Sequence, residues 1–339
     1  MTSTTFSSVE SPKTLSKLTV DSTIPSPLSL DKSFAAIDWQ APWLCHLSEL
    51  DYLSQQVQEL SESKDNDHSS GKQPATQSNT VIAQLLNTAL LQRLKNEQNQ
   101  PAQTKPSIGQ RAHLLKFVAQ DALPEGQGYE HFIATTGNIP TRNNLHDLFN
   151  GSIWLTFPKT KALLNYYHMD ELAKPGNGDS RGRVRDTITV FDENGAVLVT
   201  ANPSIGEALI DFDWQGSLVT PRDDFDHPYQ ATPQAKAAVY IFGHALLEQL
   251  IQPRKALCAH STVIHVEAEF FALPLAERLA CLDQYLADKM DELLSQQAVT
   301  PRQLAPLPIL GVPHYWAQNA DPSFYEDSYV FRSGRRNRG

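Results

Sequence analysis

Apolar residues recur along this chain at two kinds of spacing, and the changes between them place the elements. From Phe34 onward Ile37, Trp39, Trp43, Leu44, Leu47, Leu50, Leu53, Val57 and Leu60 recur at helical spacing, which predicts that folded structure begins there. Residues 61–80, SESKDNDHSSGKQPATQSNT, hold almost no apolar side chain, so burial cannot offset the entropy of ordering them. They read as a surface insertion. A second helix is predicted over 81–96, with Ile82, Leu85, Leu86, Leu90 and Leu94 on one side, and a polar spacer at about 98–107 closes the pair. Further on, Leu145, Leu148, Phe149, Ser152 and Ile153 fall on one helical stripe, with His146 and Asn150 together at its border. Pro158 is expected to end or kink this helix before the next one starts.

The strongest strand signal is RGRVRDTITVFDENGAVLVTANPS. Its two β-rich runs, 187–191 and 196–200, are joined by Asp192–Gly195, residues with turn chemistry, so a hairpin is expected over about 187–200. A short helix near 204–214, a long one over about 232–251, a β-like piece at 259–267 and a helix at 274–294 follow. The tail reads as irregular, anchored by Tyr315, Trp316, Phe324, Tyr325 and Phe331. This order predicts an α+β fold: a helix-dominated single domain over 34–333 with a small antiparallel sheet. Residues 1–33, rich in Ser and Thr, are expected to be disordered, and 334–339 form a basic tail.

Several segments, PTRNNLHDLFNGSIWLTFPKTKALLN, RDTITVFDENGAVL, FGHALLEQLIQPRKALCAH, PLPILGVP and FYEDSYVFR, resemble in the same order an uncharacterised bacterial family, the domain of unknown function numbered three thousand and twenty-five. The resemblance spans about residues 35–333. It implies a single folded unit and carries no activity with it.

Composition narrows the function classes. Forty per cent hydrophobic residues supports a sizeable core, while a net charge of −10 argues against a surface that is a nucleic-acid platform as a whole. A local contact with a polyanion through Arg335, Arg336 and Arg338 in the tail stays open. No run of eighteen apolar residues occurs, so no membrane insertion is expected. The N-terminus lacks the apolar stretch of a secretory signal, which makes the cytoplasm the default address. Cys45, Cys258 and Cys281 form no close-spaced pair and read as reduced, buried residues rather than a disulfide or zinc framework.

Six residues are candidates for chemistry. His146 and Asn150, four apart on one helix, project side by side and could present a base with an orienting amide, or could brace neighbouring loops. His244, placed by this reading inside an apolar helix after Gly243, is costly there unless partnered, and shares a face with Glu248. His260 opens the β-like segment. Arg185 and Asp186 stand at the entrance of the expected hairpin, Arg185 following KPGNGDS, which either wraps a phosphate or is a solvated loop. Asp192–Gly195 are assigned to the turn. No recognised metal-ligand spacing is present, so no metal site is assigned and no cofactor is named. The expectation is an intracellular enzyme of the hydrolase or nuclease type with a pocket formed by these six residues. The alternative is a non-catalytic binding or scaffold protein for an acidic partner or nucleic acid.

Overall fold

A computed structural model of the chain describes residues 30, 32–62, 80–98, 115–174, 182–230, 232, 234–296 and 298–334. The expectations for most of 1–33, 61–80 and 98–107, for KPGNGDS and for Arg335, Arg336 and Arg338 fall outside these residues. Among the described residues no helix is long and apolar enough to cross a membrane.

Leu30 is already buried against the body, with its N–H 3.5 Å from the Leu60 carbonyl. Short 3-10 stretches follow at Lys32–Ala36 and Pro42–Leu50, the second burying Trp43, Leu44, His46, Leu47 and Leu50 and running into helix α1 (Asp51–Glu62). Helix α2 (Val81–Gln98) adds Val81, Ile82, Leu85, Leu86 and Ala89 to the same core. Strands β1 (Lys116–Ala119) and β2 (Asn138–Thr141) pair in parallel, connected through helix α3 (Tyr129–Thr136). Gly137, at φ 70°, reverses the chain between α3 and β2, a backbone state glycine adopts without steric cost. Asn87 takes the place of a neighbouring strand for β1: its Nδ2 donates to the Phe117 carbonyl at 2.7 Å and its Oδ1 accepts the Phe117 N–H at 2.9 Å.

Helix α4 (Leu145–Thr156) runs through the core and is buried over nearly its whole length. Its start is pinned from both directions. Asn144 caps it by accepting the Asp147 N–H at 2.8 Å, and the Asp147 carboxylate accepts from the Arg142 N–H at 2.6 Å and from its guanidinium at 2.8 and 3.1 Å. Helix α5 (Pro158–Ala173) begins at Pro158, as the sequence predicts for a residue that needs no donor in a first turn.

Helix α6 (Arg183–Asn194), strand β3 (Gly195–Thr200), helix α7 (Pro203–Ile210), strand β4 (Ala237–Ile241), helix α8 (His244–Gln249), strand β5 (Cys258–His265), helix α9 (Leu275–Leu294) and strand β6 (Ala305–Pro308) complete the domain. The sheet order is β4-β3-β5-β6. It is mixed rather than antiparallel as expected: β3 runs antiparallel to β4 and parallel to β5, and β5 antiparallel to β6. Every residue of β3 and β4 is buried. The tail lies across the body through its aromatics, as expected. The Tyr315 hydroxyl donates to the Val239 carbonyl and that of Tyr325 to the Gly311 carbonyl, both at 2.7 Å.

The fold is α+β and helix-dominated, and three further details of the expectation change. No hairpin exists at 187–200, because 187–191 lie in α6. Val184, Thr187, Ile188 and Phe191 repeat at three- and four-residue spacing toward the core, and that period outweighs the β-rich composition. The run expected as one helix over 232–251 divides into β4 and α8 at Gly243. A side chain at Gly243 would place its Cβ 2.4 Å from the Gly195 nitrogen and 2.6 Å from the Glu193 carbonyl oxygen, so only glycine lets the two segments meet. Last, the cysteines are unpaired as expected, but Cys258 is exposed and the other two only partly covered.

Candidate functional site

The ends of α6 and β3 on one side and of β4 and α8 on the other come together at Gly195, whose carbonyl accepts the N–H of both Phe242 and Gly243. This junction puts Asp192 and Glu193, in the last turn of α6, beside His244, the first residue of α8. Helix α4 packs across α8 and brings His146 to the same place.

The resulting cluster is tight. Nε2 of His146 and Nε2 of His244 stand 3.1 Å apart, with the two rings at 79° to one another. His146 Nδ1 lies 3.2 Å from Glu248 Oε2, His244 Nε2 lies 3.7 Å from Glu193 Oε2, and His244 Nδ1 lies 3.9 Å from Asp192 Oδ2, beyond hydrogen-bond length. Exposure is one-sided. The side chain of His244 is 5% exposed, whereas those of His146, Glu193 and Glu248 are 32%, 37% and 40% exposed. Solvent therefore reaches the cluster from the His146 and glutamate side.

Behind it, a polar line continues into the protein. Lys161 Nζ donates to Asp192 Oδ1 at 2.6 Å and to Asn150 Oδ1 at 2.9 Å, and Asn150 Nδ2 donates to the Tyr129 hydroxyl at 3.0 Å. A small recess with room for about one water, lined by Tyr129, Glu130, Lys161, Asn165 and Asp192, lies beside this line. Burial pulls the His244 imidazole down to about 4, with the Asp192 charge opposing, so the ring is neutral at pH 7. Burial also pushes the Asp192 carboxyl up, but the Lys161 ammonium and then His244 outweigh it, and the net direction is down. Glu193 is raised, chiefly by burial, with His146 opposing.

Of the six residues singled out in the sequence, His146 and His244 are in direct contact and Asn150 joins them through Lys161 and Asp192. Arg185, Asp186 and His260 do not join. Arg185 lies two helical turns before Asp192, about 10 Å along the axis of α6, and its Nε is buried without a hydrogen bond. No ion pair forms between Arg185 and Asp186 among the described residues. His260 pairs in the sheet with Gly195 and Pro306 and has a buried Nδ1 without a partner, and burial lowers its pKa.

Asp192 and Glu193, assigned to a turn by their residue types, are carboxylates of the cluster beside Glu248, and Lys161 was not singled out at all. The signal for Asp192 and Glu193 was the helical spacing of Val184, Ile188 and Phe191 just before them. For Lys161 it was the spacing from Pro158, which places a lysine in the first turn of a helix directly after the buried end of α4.

No curated protein and no solved structure matches the chain. The family described as "Protein of unknown function (DUF3025)" matches residues 115–335, beginning well after the expected start near 35, so α1 and α2 fall outside the match while every residue of the cluster falls within it. That match covers more than half of the chain, and the chain belongs to the DUF3025 family.

Proposed function

We propose that the protein is an enzyme of the hydrolase or nuclease type whose site is the His146, His244 and Glu193 cluster, with its solvent-reachable face as the place for substrate. The observation that carries this reading is the 3.1 Å approach of two imidazole nitrogens beside a carboxylate on a solvent-reachable face. A purely structural network would close its hydrogen bonds and exclude water. Here His244 Nδ1 closes none, and three of the side chains are about a third exposed or more.

In this reading a water held between the imidazoles and Glu193 loses a proton to the cluster as its oxygen attacks an electrophilic carbon or phosphorus. The proton then passes to the leaving group. Lys161 supplies a fixed positive charge near the developing negative one, held in place by Asp192 and Asn150. Arg185, Asp186 and His260 have no part in it.

The test is turnover of chromogenic ester, anilide, phosphomonoester and phosphodiester substrates by the untagged chain. At least one should be cleaved, with kcat/KM falling about 100-fold or more in His146→Ala at an unchanged melting temperature. Absence of turnover across all four classes, or equal activity in that variant, overturns the enzyme reading in favour of a non-catalytic binding protein.

A further inference from the structure

Both imidazoles of the cluster turn their outer nitrogen toward a carboxylate. His146 Nδ1 is 3.2 Å from Glu248 Oε2 and His244 Nδ1 is 3.9 Å from Asp192 Oδ2. A carboxylate within hydrogen-bond reach, as Glu248 is for His146, favours the tautomer with its proton on Nδ1 and Nε2 free to donate a lone pair. The two Nε2 atoms face each other at 3.1 Å, and Glu193 adds a third electron-pair donor. All three donor atoms lie within 4.8 Å of one another. Such donors repel unless a cation stands between them.

We propose that His146, Glu193 and His244 bind a divalent transition-metal ion, with Glu248 orienting the His146 imidazole. The spacing fits. Donors about 2.0–2.1 Å from a common ion stand about 2.8–3.4 Å apart for bond angles between 90° and tetrahedral. The nitrogens already meet that separation at 3.1 Å, and the Glu193 carboxylate, 3.7 Å from His244 and within 4.8 Å of His146, has to close by roughly an ångström. Its side chain is 37% exposed and has the freedom to do so. Two imidazoles with one carboxylate favour zinc or ferrous iron over magnesium or calcium, which take oxygen donors. Three protein ligands on a half-open face leave coordination positions for water and substrate, the arrangement of a catalytic rather than a structural ion. Such an ion acidifies a bound water and polarises a substrate oxygen. The inference rests on the reading of this cluster as the functional site and adds the ion to it.

The untagged full chain, stripped with EDTA and dialysed, is titrated with zinc chloride by calorimetry and with Co²⁺ by visible absorption. The expected result is one ion per chain with a Kd of about 1 µM or tighter. The Co²⁺ complex should show d–d bands of a four- or five-coordinate site. His146→Ala and Glu193→Gln, both at partly exposed positions, should each weaken binding at least about 10-fold, and Glu248→Gln by about 10-fold through loss of ring orientation. Melting temperatures of the metal-free variants, close to that of the parent, establish that the fold is kept. A zinc Kd weaker than about 100 µM, or equal affinity in His146→Ala and Glu193→Gln, overturns the proposal. The pair is then a plain N–H···N hydrogen bond. Turnover that persists in EDTA in a chain that binds no zinc would sink the ion and leave the enzyme, whereas tight, His146-dependent zinc binding without turnover would uphold the ion and remove the enzyme.

Discussion

Protonation of His46 should cost the fold measurable stability in mild acid. The ring is fully buried in the Pro42–Leu50 stretch, with Phe157 and Tyr240 at ring-centroid distances of 6.2 Å. Burial, opposed only in part by the Ile241 carbonyl, lowers its pKa from 6.5 to about 4. The unfolded chain keeps a pKa near 6.5, so between 6.5 and about 4 the unfolded state holds more protons than the folded one. Stability is therefore full above pH 6.5 and falls as the pH drops toward 4. The whole span corresponds to about 3 kcal/mol, of which about 2 kcal/mol is lost between pH 7 and pH 5. For a domain of this size that is a fall of roughly 5 °C in Tm. Other groups titrate over the same interval, so the quantity to read is a difference. Thermal unfolding followed by circular dichroism at pH 7 and pH 5, at one ionic strength, should show His46→Leu losing about 5 °C less than the parent. Equal losses in the two proteins would mean that His46 is hydrated or partnered in the fold, and the argument from burial would fail.

Gly243→Ala should destabilise the domain by about 2–4 kcal/mol, because the new methyl meets backbone rather than a side chain that can turn aside; a melting temperature within 2 °C of the parent would refute the close packing of α8 on the end of α6. Lys161→Met should cost about 3 kcal/mol by leaving Asp192 without its counter-charge, and adding Asp192→Leu should restore much of it, a non-additivity that a urea double-mutant cycle measures directly. Tyr315→Phe should cost about 1 kcal/mol in the same assay, since the Val239 carbonyl loses its buried donor.

The elements that could be read from sequence are those with a clean stripe. Helix α9 aligns Leu279, Leu282, Leu286, Met290 and Leu293 on one buried side, and α4 does the same with Leu148, Phe149 and Ile153, so periodicity alone found both. β4 defeated it because Ala237–Phe242 is apolar at every position, and an unbroken run has no period to separate strand from helix. His146 and His244 stood out as polar rings in apolar surroundings. Asp192 and Glu193 did not, because Asp-Glu-Asn-Gly has the same composition whether it closes a helix or turns a hairpin. Only the packing of Phe191 and Ile188 decides between them. Arg185 and Asp186 were grouped with the site through the hairpin, and once that segment is helical the rise along α6 carries them away from it.

The β3 and β4 ladder works as a ruler for the cluster. Ala196 pairs with Ile241 at the last rung, and the Gly195 carbonyl accepts from both Phe242 and Gly243, so α6 ends and α8 begins together at that end of the sheet. The approach of Glu193 to His244 thus follows from where the ladder stops. A slip of two residues would move one strand past the other by about 7 Å and dissolve the cluster, while a slip of one would exchange the two buried faces of β3. The excursion between the strands, residues 201–236, leaves and rejoins the sheet at the other end, where Thr200 pairs with Ala237, so a change in its length acts far from the geometry at 193 and 244.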